Sequence, residues 1–541
     1  DFATGRAVDP DGAVGRSLCL AIDPDLLVTV NAMTAGYVVS DSPEHNEPGT
    51  PTHPGTGQAA AVGWLDRLRA LAHRMCVTPT PYAQADLDVV QRVGDDTLSV
   101  TATSSAGDIV NQILGVDSVR GATLIADGSL TRRTVDLLSA GDSTVVIAAA
   151  DFSTHDSVNG TPGTVDIAPR RVSERLVAAP FDPTVGAALA AAGTDPAAPT
   201  YLDASLAVRL RHDSHTARRQ DALGSMLWPG LQPDVAPRTE ILLPPTTWNL
   251  QSDDAGAILS TLATAVRSGL AVPRPLPALI ADAGGVTAAS QSVRATADRG
   301  RFDDGVITQI RDEVRRLAQL TPALITDQRT GLTGTAYTAP LREDMLRAVS
   351  QSERPDTRNG LAHQRLEIVG TTIGDLFGAV TIVNPGGSYT LATEHSPLPL
   401  ALHNGLAVPI RVRLQVDAPP GMTVTDVGEI VLPPGYLPLR VPIEVHFTQR
   451  VAIDVSLRTP DGVALGEPVR LSVHSNAYGK VLFAITLAAA AVLVTLAGRR
   501  LWHRFRGQPD PADLDRPDPG EPMLAEEHLK ADDRVDEGHR I

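Results

Sequence analysis

In the first half of this 541-residue chain, acids and aromatic residues stand where short apolar runs end. They are Asp23 and Asp25 (AIDPD), Tyr82 and Asp86 (TPYAQAD), Asp127 (IADGS), Asp151 (AADF), Asp182 (PFD) and Trp248 (PPTTW). A ring of carboxylates with Tyr and Trp suits a saccharide. Carboxylates accept hydroxyl hydrogen bonds or serve as acid and base, and an aromatic face covers the apolar face of a sugar. The competing reading is structural, because Asp before a helix is a common N-cap. Asp127-Gly-Ser and Asp182-Pro-Thr sit where caps would. No pair is assigned as acid and nucleophile, since sequence does not give their separation. His212-Asp-Ser-His215 offers two metal ligands, but it lies in an Arg-rich helical stretch that reads as a solvated face. No zinc-ligand array, P-loop or Gly-x-Ser-x-Gly elbow occurs, so no metal or cofactor is expected.

The elements that would position these residues follow from periodicity. SLCLAID (17–23), MCVTPTPY (75–82), ATLIAD (122–127), TVVIAAAD (144–151), RLVAAPFD (175–182) and EILLPPTTW (240–248) read as strands buried on both faces. Between them, Ala61–His73 places Trp64, Leu65, Leu68 and Leu71 on one side, and Leu130–Ala140 stops at Gly141. Ala255–Ser268 carries Ile258, Leu262 and Val266 on one stripe. Strand–helix alternation over 1–300 predicts an α/β domain, an irregular β/α barrel whose strand C-termini converge on one face. Residues 301–365 are expected to form a helical connector packed on the barrel, with Val306, Ile310, Val314 and Leu317 as its stripe. Over 366–476 the period becomes two, as in Arg411-Val-Arg-Leu-Gln-Val416, with turns such as Pro433-Pro-Gly435 between strands. That pattern predicts an all-β sandwich of immunoglobulin-like shape.

From Val481 to Ala497 run seventeen uncharged residues, and Arg499, Arg500, Trp502, Arg504 and Arg506 follow. Residues 478–498 are expected to form a transmembrane helix, since about 20 residues span roughly 30 Å of hydrocarbon. The Arg cluster is expected to stay on the cytoplasmic side with Trp502 at the interface, which places the preceding residues outside the cytoplasm. Residues 499–541 then form a basic anchor and an acidic tail expected to be disordered. The net charge of −17 argues against a nucleic-acid partner. Lys480 and Lys530 are the only lysines, a bias read as the codon signature of a GC-rich bacterium. Cys19 and Cys76 could form one disulfide in an oxidising exterior, or stand as two small buried thiols. The start at Asp1 is expected to reflect removal of an export signal or the choice of fragment.

The order of these motifs carries a resemblance. AIDPDLL is followed by a Trp-containing helix and TPYAQADL. Next come IADGSLTRRTVDLLSAGDSTVVIAAADF, EILLPPTTW, a sandwich beginning near LPLALHNGLAVPIRVRLQV and one membrane helix. This resembles an actinobacterial, mycobacterial-type membrane family often labelled only "glycoprotein" or "conserved membrane protein", encoded beside the lipid II flippase. The resemblance implies a membrane location and a link to peptidoglycan assembly, and it supplies no catalytic residues. The expectation is a non-enzymatic, single-pass envelope protein that binds a glycan or a protein. Its expected partners are the bilayer, an envelope glycan and an integral membrane protein such as the lipid II flippase. The alternative is an exported glycoside hydrolase or carbohydrate deacetylase using the strand-end carboxylates.

Overall fold

The computed structural model describes residues 9–41, 51–150, 165–196, 199–202, 208, 210–232, 237–287, 301–384, 386, 388–391, 395–446, 450–475 and 478–506. Asp151 and the tail beyond 506 lie outside the described residues.

The chain is a mixed helix–strand structure, followed by a β-sandwich region and one long apolar helix. In the first part, strand Cys19–Ile22 pairs in parallel with Cys76–Pro79. A four-stranded sheet runs in the order Ala122–Ser129, Val145–Ala149, Val177–Phe181, Arg170–Arg171, the first three strands parallel and the last antiparallel. Among the described residues these two sheets are separate hydrogen-bonded units. Strand Val177–Phe181 is followed directly by helix Pro183–Ala191, and helix Arg132–Ala140 connects the two preceding parallel strands. The expected strand at EILLPPTTW does not form: residues 240–248 join no ladder. Pro244 and Pro245 have no N–H to donate, which removes two ladder bonds from an already short run.

Helices Asp304–Leu320, Gly334–Ala348 and Arg358–Gly378 are part of the first core. Ile307, Ile310, Leu317, Met345, Leu346, Leu366 and Ile373 share one buried cluster with Tyr82, Val90, Leu98, Val135 and Val146. The expected sandwich boundary at 366 therefore moves. Helix Arg358–Gly378 runs through it, burying Ala362, Leu366, Val369 and Ile373 at helical spacing, and the first sandwich strand is Val380–Ile382. Leu376 and Phe377 touch both this core and that of the sandwich.

The sandwich packs a five-stranded sheet against a three-stranded one. Strand order is Ser388–Leu391, Ala464–Ser475, Val451–Arg458, Ile410–Asp417, Glu429–Leu432 in the first, and Gly435–Val441, Leu398–Asn404, Val380–Ile382 in the second. The alternation read in the sequence is the alternation of burial. Val412, Ile453, Val455, Leu457, Leu471 and Val473 face inward onto Leu398, Leu400, Leu402 and Val380. Asn404, 1% exposed, fastens the loop after its strand. Its Nδ2 donates to the Val408 and Leu432 carbonyls at 3.0 Å each, and its Oδ1 accepts from the Leu406 N–H.

Helix Tyr478–Phe505 ends the described chain. Its stretch Phe483–Trp502 is long and apolar enough to cross a membrane, and none of it is buried against the rest of the protein. Phe483, Ile485, Leu487, Leu493, Val494 and Leu496 are all exposed, which no core helix tolerates. Arg499, Arg500 and Trp502 stand in its last turns, and Arg506 directly follows it. The Arg506 guanidinium lies 5.3 Å over the Trp502 ring, and only the backbone of Arg504 is described.

Candidate functional site

Of the predicted strand-end residues, Asp23, Asp25 and Tyr82 meet around one turn and Asp86 lines a cavity beside it, whereas Asp182 and Trp248 are held elsewhere. Asp23 follows strand Cys19–Ile22 and caps helix Pro24–Thr34, its Oδ1 accepting the Asp25 N–H at 3.0 Å. The same oxygen accepts the Ala83 N–H at 3.0 Å, so one carboxylate ties the first strand to the turn after its parallel neighbour. Burial pushes the Asp23 carboxyl up to about 6, and the nearby Asp25 charge adds to the rise.

Asp25 has a different fate. Its Oδ1 accepts from Arg347 Nε at 2.8 Å and lies 2.6 Å from Arg347 Nη2. The Tyr82 hydroxyl stands 3.0 Å from Asp25 Oδ1 and 3.1 Å from Glu343 Oε2, so its single proton has two carboxylate acceptors. That hydroxyl accepts in turn from Arg347 Nη2 at 3.0 Å. Asp344 also pairs with Arg347. Tyr82 is fully buried, and burial together with the Asp25 charge raises its phenol well above the usual range. The result is a partly buried network of Asp25, Tyr82, Glu343, Asp344 and Arg347 built from three separate segments.

The turn that carries Tyr82 is strained. Ala83 and Gln84 have φ of 51° and 52°, both in the left-handed region that non-glycine residues avoid. Surrounding bonds over-determine this shape. The Asp86 N–H donates to the Val349 carbonyl at 2.9 Å, and the Gln351 N–H to the Gln84 carbonyl at 2.9 Å. Asp86 then caps helix Leu87–Val93 through the Asp88 and Val89 N–H groups, and burial raises its carboxyl.

Beside the turn lies a cavity of about 50 Å³, lined among others by Gln84, Asp86, Asp88, Thr131 and Arg358. At roughly 10–15 Å³ per water on this measure, its present shape holds a few waters. Asp127 stands behind two of its lining residues, Thr200 and Arg358. Asp127 is not a helix cap, since strand Ala122–Ser129 continues past it and Thr131 caps the next helix. Its Oδ1 accepts the Thr200 N–H at 2.6 Å, and its Oδ2 accepts from Arg358 Nη2 at 3.1 Å.

Two expected ligand contacts are otherwise engaged. Trp248 donates its indole N–H to the Leu189 carbonyl at 2.8 Å and packs with Val185, Leu189 and Ile258. A sugar-stacking platform needs an open ring face. Asp182 caps helix Pro183–Ala191 and accepts from Arg238 Nη2 at 3.2 Å. The same Nη2 stands 3.0 Å from Glu240 Oε2 without hydrogen-bond geometry. Burial pushes Glu240 up to about 7, against the pull of Arg238. His215 bonds Asp254 at 2.9 Å and fastens two helices together. Among the described residues no group of His, Cys, Asp and Glu is arranged to hold a metal ion. Cys19 and Cys76 stand opposite each other in the parallel ladder and form a disulfide.

Sequence reasoning missed Glu343, Arg347 and Arg358. Glu343 and Arg347 are spaced i, i+4 and Arg358 starts the next helix, so each reads as ordinary helical surface. The one available signal was charge at 342–344 and 347 inside an otherwise apolar helical stretch.

No curated protein matches the chain. Among solved structures, it is similar to a GH57 branching enzyme from Thermococcus kodakaraensis at TM-score 0.41 and 10% identity, over 60% of this chain and 70% of that one. A GH57-type branching enzyme from Pyrococcus horikoshii gives 0.37 and 10%, over 59% and 66%. Native α2-macroglobulin from Escherichia coli gives 0.15 and 13%, over 19% and 17%. Scores this low carry no weight for function. Residues 259–513, from the helix Ser252–Arg267 through the sandwich and the apolar helix, match the model of a family of unknown function, DUF6049.

Proposed function

We propose that this chain is a single-pass protein of an actinobacterial-type cell envelope, with its bulk outside the cytoplasm and its Arg-rich end inside. In this reading the folded region binds a glycan or a protein of the cell wall and does not hydrolyse it. The observation that carries the non-catalytic reading is the engagement of the strand-end carboxylates. Asp25 is clamped by Arg347, Asp127 by Arg358, Asp182 by Arg238, while Asp23 and Asp86 hold backbone N–H groups. A glycosidase needs two carboxyls aimed at a shared bond. Binding needs only hydrogen-bonding groups around a polar cleft, which Gln84, Asp88 and Thr131 supply.

The Cys19–Cys76 disulfide supports an oxidising location, and the unburied apolar helix followed by Arg499, Arg500 and Arg506 supports an anchor with that end retained in the cytoplasm. The finer architecture belongs to the same proposal: parallel sheets as parts of an irregular β/α barrel, and an immunoglobulin-like sandwich acting as spacer above the bilayer. An integral membrane partner such as the lipid II flippase would meet the apolar helix.

The test uses the full chain in cells. Protease shaving should remove the bulk while leaving a membrane-bound C-terminal fragment. Purified chain should be retained on cell-wall glycan, less so after Gln84→Ala or Asp88→Ala, with no release of reducing ends or acetate. A cytoplasmic bulk would refute the topology. Glycan turnover lost in Asp23→Asn would replace binding by the hydrolase or deacetylase alternative, which Asp23's readiness to hold a proton favours.

A further inference from the structure

The two outer faces of the sandwich differ in kind. On the five-stranded sheet, outward charges pair across strands, Arg413 with Glu429 at 2.9 Å and Arg470 with Asp454 at 3.8 Å. Such pairs are what a sheet face turned to water carries. The three-stranded sheet is built otherwise. Tyr436, His403 and Thr381 stand in register across its three strands, and Pro438, Ala401 and Val383 form the next row. Arg440 opposite Pro399 completes the face. None of these outward positions carries an acid, in a chain of net charge −17. The Tyr436 and His403 ring centroids lie 4.5 Å apart, with the planes tilted by 41°. Tyr436 is 71% exposed, so the ring face turned away from His403 is open. Trp248, in contrast, is packed against the core around Leu189. Strand Gly435–Val441 is an edge of the sheet, and Pro438 in its middle has no N–H to offer a further strand.

We propose that this face of the sandwich binds an anionic glycan, with Tyr436 stacked on the apolar face of one sugar ring and Arg440 paired with a carboxylate or phosphate further along the same polymer. A pyranose offers an apolar ring face and a rim of hydroxyls. An open aromatic ring covers the first. The His403 ring nitrogens and the Thr381 hydroxyl stand beside Tyr436 for the second. Four positions along a strand span about 13 Å, so a ligand that meets both Tyr436 and Arg440 extends beyond a single sugar. Outward side chains of three adjacent strands form a platform along which such a polymer can lie. Charge selects among polymers. A guanidinium on a face without acids attracts a negative chain and gives a neutral one no such gain. The proposal rests on the glycan-binding envelope reading above and adds a contact outside the cleft.

Retention of the full chain, in detergent, on insoluble cell-wall glycan freed of protein by protease tests it. Tyr436→Ala should weaken retention about 10-fold and Tyr436→Phe by less than about 2-fold, because the ring does the stacking. Arg440→Gln should weaken it about 3-fold at low salt and leave it unchanged near 1 M, where charges are screened within about 3 Å. Reducing the glycan's carboxyls, or removing its phosphates, identifies the anion as the group whose loss abolishes the Arg440 effect. Both residues are exposed, so melting temperatures should not move. Equal retention of Tyr436→Ala and the unmodified chain overturns the proposal. So does a loss in Tyr436→Phe as large as in Tyr436→Ala, or an Arg440 effect that survives both treatments. Self-association lost in Tyr436→Ala, with retention unchanged, assigns the face to a second copy and overturns it too. Loss in Gln84→Ala but not in Tyr436→Ala refutes this face and leaves the cleft reading standing. Loss in Tyr436→Ala alone does the reverse, and no retention of the unmodified chain refutes both.

Discussion

Arg358→Leu should be among the most damaging single changes in the first core. Arg358 is 2% exposed, and its Nη2 serves Asp127 Oδ2 at 3.1 Å, the Gln351 carbonyl at 2.9 Å and the Glu353 carbonyl at 2.8 Å. The guanidinium also lies 5.6 Å over the Phe302 ring. Leucine replaces the stem and part of the ring contact. It leaves the Asp127 carboxylate, 9% exposed at its side chain, with the Thr200 N–H as its remaining described partner. Removing one member of a buried ion pair costs about 3–5 kcal/mol, and two carbonyls that lose a donor add to the burden. The expected loss is about 4 kcal/mol, of the order of half a typical domain's stability. Urea unfolding in detergent, followed by Trp64 and Trp248 fluorescence, measures it. Asp127→Asn combined with Arg358→Leu removes the stranded charge and should recover about 2 kcal/mol. A single-variant loss below about 1 kcal/mol, or a double variant no better than the single, would refute the assignment of Arg358 as the counter-charge.

Three further outcomes follow from the same structure. Replacing Cys19 and Cys76 by Ser opens a loop of sequence separation 57 and should lower stability by about 4 kcal/mol on the chain-entropy model, read as a fall in melting temperature equal to that caused by reductant. Asn404→Leu should weaken the sandwich by about 2–3 kcal/mol, because the Val408 and Leu432 carbonyls and the Leu406 N–H lose their partner; calorimetry should show the change in the sandwich transition alone. Glu240 holds its proton up to about 7 against an ordinary 4.5, so its contribution is fully present below about 4.5 and is lost as pH rises through 7. Glu240→Gln should flatten the decline in stability between those values by up to about 3 kcal/mol, and an unchanged slope in paired melts at pH 4.5 and 7.5 would contradict its burial.

The residues that cap helices also explain why the site was only half legible. Asp23, Asp86 and Asp182 are all caps, and of the three Asp86 satisfies both readings of an acid at a strand end, since it also lines the cleft. Trp248 looked like a sugar platform because its surroundings, Pro-Pro-Thr-Thr, give no hint that Leu189 takes its indole proton. The segment 240–248 failed as a strand for a reason visible in it, the prolines, which outweigh its apolar run.

Local chemistry settled what depends on neighbours in the chain. Period-two alternation fixed which faces of the sandwich strands are buried, helical stripes fixed the inward side of Asp304–Leu320, and seventeen uncharged residues fixed an apolar helix. Long-range contacts decided the rest. Arg347 meets Asp25 across 322 positions, Arg358 meets Asp127 across 231, and the left-handed turn at Ala83 exists because Asp23, Val349 and Gln351 hold it from outside. A propensity is set by a few adjacent residues, whereas an ion pair in a core is set by how whole elements pack, and no spacing along the chain encodes that distance.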